Sequence, residues 1–246
     1  MKLPKGLQYD VVKGVEAMKQ HELLSSEKGK QLFEMHEITV PGLAFEAGGK
    51  NLEQRWEARD RDNGAGRFVA LIHDDKKVIS MTSGIEYEDG NAIFLNTATR
   101  PQYRKQGFLE KAIAGYVEGK EEGTSVKALL STKVKKDDVS DEQLASINEA
   151  VVGLYDEGKS NKQILPEIQK ILRDTVGEEK VPADITKKDN FNMLTQFMGR
   201  DGTEDTRYTL AKGGSEINLV AKVPVTEKLK QTAQDILNGK EAAISR

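Results

Sequence analysis

The sequence predicts an α/β (α+β) fold, with a mixed, mainly antiparallel sheet flanked by helices, an inserted helical pair and a C-terminal hairpin plus helix. Three observations predict it. Three apolar-rich runs, Phe68 to His73, Val78 to Tyr87 and Ala92 to Thr99, are separated by Asp74-Asp75-Lys76-Lys77 and by a turn at Asp89-Gly90, the pattern of an antiparallel meander. The stretch from Thr97 to Leu109 then passes through a basic, glycine-containing turn into a helix, with Leu109, Ala112, Ile113, Tyr116 and Val117 on one face and an end near Gly119. Val126 to Val134 follows as a buried strand, so this helix joins two strands as a crossover.

Taken in order, Leu7 to Val12 reads as a short strand, and Val15, Met18, Leu23 and Leu24 recur at helical spacing after it. Leu32 to Ile38 suggests a second helical or mixed segment, and the pairs Pro41-Gly42 and Gly48-Gly49 mark a loop before a helix around Trp56. Beyond the crossover strand, Ser140 to Asp156 predicts a helix with Ser140 and Gln143 at capping-box spacing. A second helix, Ser160 to Thr175, carries Ile164, Ile168, Ile171 and Leu172 inward. Gly158-Lys159-Ser160 resembles the tail of a P-loop but lacks its earlier glycine and follows a helix, so it reads as a connecting turn. Asp189 to Met198 predicts a short helix closed by Gly199, and Thr206 to Lys212 and Ile217 to Val223 a hairpin around Gly213-Gly214. Thr226 opens a last helix with Leu229, Ala233, Ile236 and Leu237 on one face.

The composition excludes several functions. The chain has 246 residues, 37% hydrophobic and 31% charged, enough for one large domain with a packed core. A net charge of -3 gives no general attraction to nucleic acid or an anionic membrane, and the Lys133, Lys135, Lys136 cluster is followed at once by Asp137-Asp138. The absence of cysteine rules out disulfides, thiolate catalysis and Cys-ligated metals. His21, His36 and His73 have no metal-ligand spacing, and no metal is expected. With neither a signal-peptide pattern nor a long apolar span, the expected location is cytoplasmic.

The chemistry centres on Thr97 to Leu109. A strand that ends at Pro101, followed by Arg104, Lys105 and Gly107 where a helix opens, sets free backbone N–H groups and two cations together, which suits a phosphate or pyrophosphate. A basic turn of this kind can also be no more than a helix start.

Arg104-Lys105-Gln106-Gly107-Phe108-Leu109, with Pro101 and Tyr103 before it and the meander ahead of it, resembles the acetyl-CoA-binding core of the GNAT N-acetyltransferase superfamily. In that family an Arg or Gln, two variable residues, Gly, one variable residue and Gly or Ala start the central helix. Leu109 stands here where a small residue is usual. The resemblance implies a single GNAT-like domain over residues 1–246 with a helical insertion at about 137–182. It implies that Arg104, Lys105, Gln106, Gly107, Phe108 and Leu109 hold the pyrophosphate of acetyl-CoA, and that the backbone at Ala98 and Thr99 pairs with the pantetheine arm between the Ala92 to Thr99 and Val126 to Val134 strands. The expected reaction is direct acetyl transfer to a primary amine of a small molecule or protein, without nucleic acid or membrane, and with homo-oligomerisation open.

Two departures bear on catalysis. Thr195 occupies the position where the family commonly has a Tyr proposed to protonate the thiolate, and the fourth strand offers Ile93-Phe94-Leu95 in place of a carboxylate. Asn96 and Thr97 can only orient water there, and topology makes Glu86 the candidate base, with Glu88 beside it and Tyr87 and Tyr208 as possible acids. The alternative is a degenerate GNAT-fold protein that binds acyl-CoA or a partner protein without efficient catalysis.

Overall fold

The computed structural model describes residues 3–14, 17, 20, 65–74, 76–183, 185 and 205–239. The expected helices around Trp56 and at Asp189 to Met198, and the segment from Leu23 to Ile38, lie outside the described residues. The fold is mixed α/β, and the chain forms two compact units, Met1–Val126 with Val225–Arg246, and Lys127–Pro224.

The first unit contains β1 (Gln8–Lys13), β2 (Ala65–His73), β3 (Val78–Tyr87) and β4 (Ala92–Thr99), adjacent in that order and antiparallel throughout. Short-range chemistry sets the two meander turns. Asp74 Oδ1 accepts the N–H groups of Lys76 and Lys77, each at 2.8 Å, and Asp89 Oδ1 accepts that of Asn91 at 3.0 Å beside Gly90 at φ +78°. Asn91 Oδ1 in turn accepts both the N–H and the hydroxyl of Ser125, at 2.8 and 2.7 Å, which fixes the start of β5 (Ser125–Lys135). Helices α1 (Phe108–Glu118) and, after the second unit, α4 (Glu227–Leu237) pack on each other. The expected inward face of α4, Leu229, Ala233, Ile236 and Leu237, is buried. On α1 the buried face begins at Phe108, while Leu109 in the first turn is only half-buried. Inside lies an aromatic cluster: Phe68 stacks on Tyr116 at 3.9 Å between centroids, and Phe94 meets both rings edge-on.

The second unit holds the rest of β5, α2 (Asp141–Asp156), α3 (Asn161–Val176), β6 (Arg207–Gly213) and β7 (Glu216–Pro224). Its strands lie in the order β5-β7-β6, with β6 and β7 antiparallel around the expected glycine turn. The Ser140–Gln143 capping box forms as the spacing predicts, and Gly158 at φ +75° turns the chain from α2 into α3. Ile147 and Val151 of α2 and Ile164, Ile168 and Leu172 of α3 supply buried apolar side chains, whereas Ile171 is half-buried.

Candidate functional site

Where β4 ends, the chain is tied down before it turns. The Arg100 N–H donates to Ile79 O at 2.9 Å and its Nε to Val78 O at 2.6 Å, so the turn leaves the sheet from a fixed point. Pro101–Tyr103 forms one 3-10 turn with proline at its start, where a missing N–H is harmless. Tyr103 and Phe108 meet edge-on at 6.0 Å across the loop, and Phe108 is sunk in a cluster with Ile72, Ile79 and Ala112. Aromatic packing therefore pins both ends of the segment between them.

Within that clamp the backbone is unusual. Lys105 has φ +62° and Gly107 has φ +74°. A left-handed lysine costs about 1 kcal/mol, so the surrounding contacts must hold it there. Gly107 is needed for its φ and not for space, since the nearest atom to a Cβ placed there is Glu110 Oε2 at 3.8 Å. No side chain caps the start of α1, and Arg104, Lys105 and Gln106 are exposed. Two left-handed residues, Lys105 and Gly107, therefore stand just ahead of a helix start whose first-turn N–H groups have no side-chain cap. Glu110 is the acidic residue of that first turn.

Of the other predicted coenzyme-site residues, Ala98 is buried and its carbonyl accepts the Ser80 hydroxyl at 3.1 Å, while Thr99 Oγ1 lies 2.7 Å from the same hydroxyl. In the β3–β4 ladder Ser83 pairs with Asn96 and Gly84 with Phe94, so Leu95 is an extra residue that forms a bulge and stands exposed. Gly84 is the counterpart of this bulge, because a Cβ there would lie 1.9 Å from Ile93 O. Asn96 has its backbone in β4; its side chain, like Thr195, lies outside the described residues.

Glu86 lies toward the other end of the meander, opposite Ala92. Its Oε2 accepts the Tyr116 hydroxyl at 2.5 Å, and its Oε1 faces Lys13 Nζ at 2.9 Å and Lys120 Nζ at 3.3 Å. Burial works to raise the carboxyl's pKa, but the Tyr116 hydroxyl, Lys13 and Lys120 outweigh it and hold the group below its ordinary value. Burial first, and then Glu86, push the Tyr116 phenol up. A carboxylate with both oxygens engaged and a lowered pKa takes a proton from an ammonium poorly. An open pocket of about 210 Å³ adjoins it, lined by Lys13, Gly66, Arg67, Glu86, Tyr87 and Glu88. Tyr208 lies in the second unit, its phenol pushed up to about 12 by burial and by Tyr155.

The predicted loop residues, Arg104 to Leu109, follow one another into the start of α1, and the structure adds three groups around Glu86 that the sequence did not reveal. Tyr116 falls on the expected apolar face of α1, and nothing in its spacing marks its hydroxyl as a donor to a strand. Lys120 follows the C-cap Gly119, and its burial is visible only once the helix is packed. Among the described residues no group of three or more His, Cys, Asp or Glu could hold a metal, and no helix is long and apolar enough to cross a membrane.

No family model matches the sequence, and no curated protein matches it. Among solved structures, the chain is similar to an aminoglycoside 6'-N-acetyltransferase complexed with coenzyme A, at 10% identity and a TM-score of 0.44, over 88% of this chain and 97% of that one. It is also similar to a protein described as an acetyltransferase of the GNAT family from Desulfovibrio desulfuricans, at 9% identity and a TM-score of 0.43, over 89% of this chain and 100% of that one.

Proposed function

We propose that this protein is a GNAT-type N-acetyltransferase, one domain with a helical insertion at about 137–182, that moves an acetyl group from acetyl-CoA to a primary amine of a small molecule or protein. The observation that carries this reading is the clamped loop, in which Lys105 and Gly107 are both left-handed before an uncapped helix. Arg104, Lys105 and Gln106 with the N–H groups from Gly107 to Leu109 meet the pyrophosphate, and Phe108 anchors them from below. The pantetheine arm follows the backbone at Thr99 and Ala98 toward the bulge at Leu95.

In the proposed reaction the incoming ammonium first gives one proton to solvent water, and the resulting neutral amine nitrogen attacks the thioester carbonyl carbon. The carbonyl oxygen takes up negative charge against a backbone N–H freed from the ladder at the bulge. The C–S bond then breaks, and the thiolate receives a proton while the new amide loses one. By the resemblance, Asn96 and Thr97 are assigned to orient the water that carries those protons and Thr195 matches the acid position in sequence, while Glu86 serves as a counter-charge for the incoming ammonium. Positioning supplies much of the rate.

The test is thermal. Coenzyme A at millimolar concentration should raise the melting temperature, and pantetheine, which lacks the pyrophosphate, should not. No shift with coenzyme A sinks the proposal. A second reading, a GNAT-fold protein that binds acyl-CoA or a partner without efficient turnover, is favoured by the fully engaged Glu86 carboxylate. Thiol release from acetyl-CoA across a mixture of primary amines separates the two.

A further inference from the structure

The three partners of Glu86 are unlike one another. Tyr116 and Lys120 are sunk in the fold, with 2% of the tyrosine and 4% of the lysine side chain exposed. Lys13 leaves 54% of its side chain in solvent. The carboxylate is therefore kept ionised from behind by groups that cannot leave, and is covered in front by one that can. An ion pair of the second kind contributes little to stability, because solvent screens it and holding a long side chain costs entropy.

The route of Lys13 is also unusual. Lys13 pairs with Phe68 in the β1–β2 ladder, and Glu86 pairs with Gly66 in the β2–β3 ladder. Residues directly opposite, and those two apart on one strand, share a face of the sheet, so Lys13, Phe68, Gly66 and Glu86 all face the same side. To reach Glu86, the lysine passes over β2 beside Gly66. That glycine has no positive φ, and a Cβ on it would meet no atom within 4 Å among the described residues. Among the described residues neither conformation nor close packing calls for glycine there, and its lack of a side chain leaves the floor of the pocket open.

We propose that this pocket is a site for an unbranched primary alkylammonium group, as carried by a lysine side chain or a polyamine, and that Lys13 is a built-in competitor which the incoming ammonium displaces from Glu86. The Lys13 stem itself shows that a four-carbon chain ending in an ammonium fits the path across Gly66. The Tyr116 ring, 6.0 Å from Lys13 Nζ, adds a cation–π contact for whichever ammonium is present. Reading this pocket as the acceptor end of an acetyl transfer rests on the function proposed above; the ammonium site itself does not.

The probe is n-butylammonium chloride, titrated into the full chain at low ionic strength and followed by NMR of the butyl protons. Lys13→Ala should bind it saturably, about fivefold more tightly than the wild type, as expected when a weak internal competitor is removed. Lys13→Thr, suited to an edge strand, should do the same and serves if the alanine variant does not fold. The double variant Lys13→Ala/Glu86→Gln and the filled-floor variant Lys13→Ala/Gly66→Val should lose the binding, and n-butanol should not bind. No saturable binding to either single variant, or binding that survives Glu86→Gln, overturns the proposal. If the coenzyme A shift is intact while butylammonium fails to bind, only this site is wrong; the reverse result removes the transfer reading and keeps the site.

Discussion

The Tyr116 hydroxyl donates a 2.5 Å hydrogen bond to Glu86 Oε2, joining the inner face of α1 to the far end of β3. The bond makes the fold sensitive to acid, because Glu86 is held below its ordinary value of 4.5. A carboxyl with a lowered folded-state pKa gives its full stabilisation above its unfolded pKa and loses it as pH falls through the folded one. Wild-type stability should be flat in this respect above about pH 5 and decline below it, and Glu86→Gln should flatten the decline in urea melts across that range. At neutral pH the same variant should be less stable by about 2 kcal/mol, because buried Lys120 loses its counter-charge.

Tyr9 gives the opposite prediction. Its hydroxyl is buried with no hydrogen-bond partner among the described residues, and its ring lies so close to α1 that a Cβ on Gly115 would sit 2.5 Å from Tyr9 Cζ. Tyr9→Phe removes a desolvated, unpaired group and should raise stability by about 1 kcal/mol in chemical denaturation. Gly115→Ala should lower it, since the ring has to shift and uncover part of the cluster that includes Leu3 and Leu7.

These two cases show where the sequence was legible. Strands β3 and β4 were predicted to the residue, because Val78 to Tyr87 and Ala92 to Thr99 are bounded by turn residues whose side chains close the turns themselves. The loop was legible for the same reason, since Pro101 and Gly107 act through local backbone geometry. The partners of Glu86 were not, because Lys13, Tyr116 and Lys120 reach it across 73, 30 and 34 positions of sequence. The bulge at Leu95 was hidden too: Ile93-Phe94-Leu95 reads as an even strand, and only the register against Gly84 shows the added residue.

The loop predicts a pair of opposite effects on coenzyme affinity. Gly107→Ala forces a side chain into the left-handed region at the start of α1, which costs about 1 kcal/mol of the binding geometry and should weaken coenzyme A several-fold. Glu110→Gln removes a carboxylate from the helix start where the proposed pyrophosphate would sit and should tighten binding by a similar factor, most clearly at low salt. Calorimetric titration of both variants checks this; a tighter Gly107→Ala or a weaker Glu110→Gln contradicts the proposed pyrophosphate site.

The insertion carries the last prediction. β6 pairs with β7 along one edge, and on its other edge α2 supplies the missing partners. Asn148 Oδ1 accepts the Leu210 N–H at 2.8 Å while its Nδ2 donates to Leu210 O at 2.9 Å, so one side-chain amide imitates the next strand. Tyr155 Oη accepts the Tyr208 N–H at 2.7 Å, and the Arg207 guanidinium lies 4.6 Å from the centre of that ring. An uncovered edge of this kind is a template for pairing with another chain. Asn148→Leu with Tyr155→Phe keeps the bulk of α2 but frees the Tyr208 and Leu210 groups, leaving them without partners in a poorly hydrated place. The double variant should melt about 2 kcal/mol lower and associate with rising concentration in sedimentation, whereas wild type should show no concentration dependence through this edge. An unchanged melting profile would mean that α2 lies against β6 without sealing it.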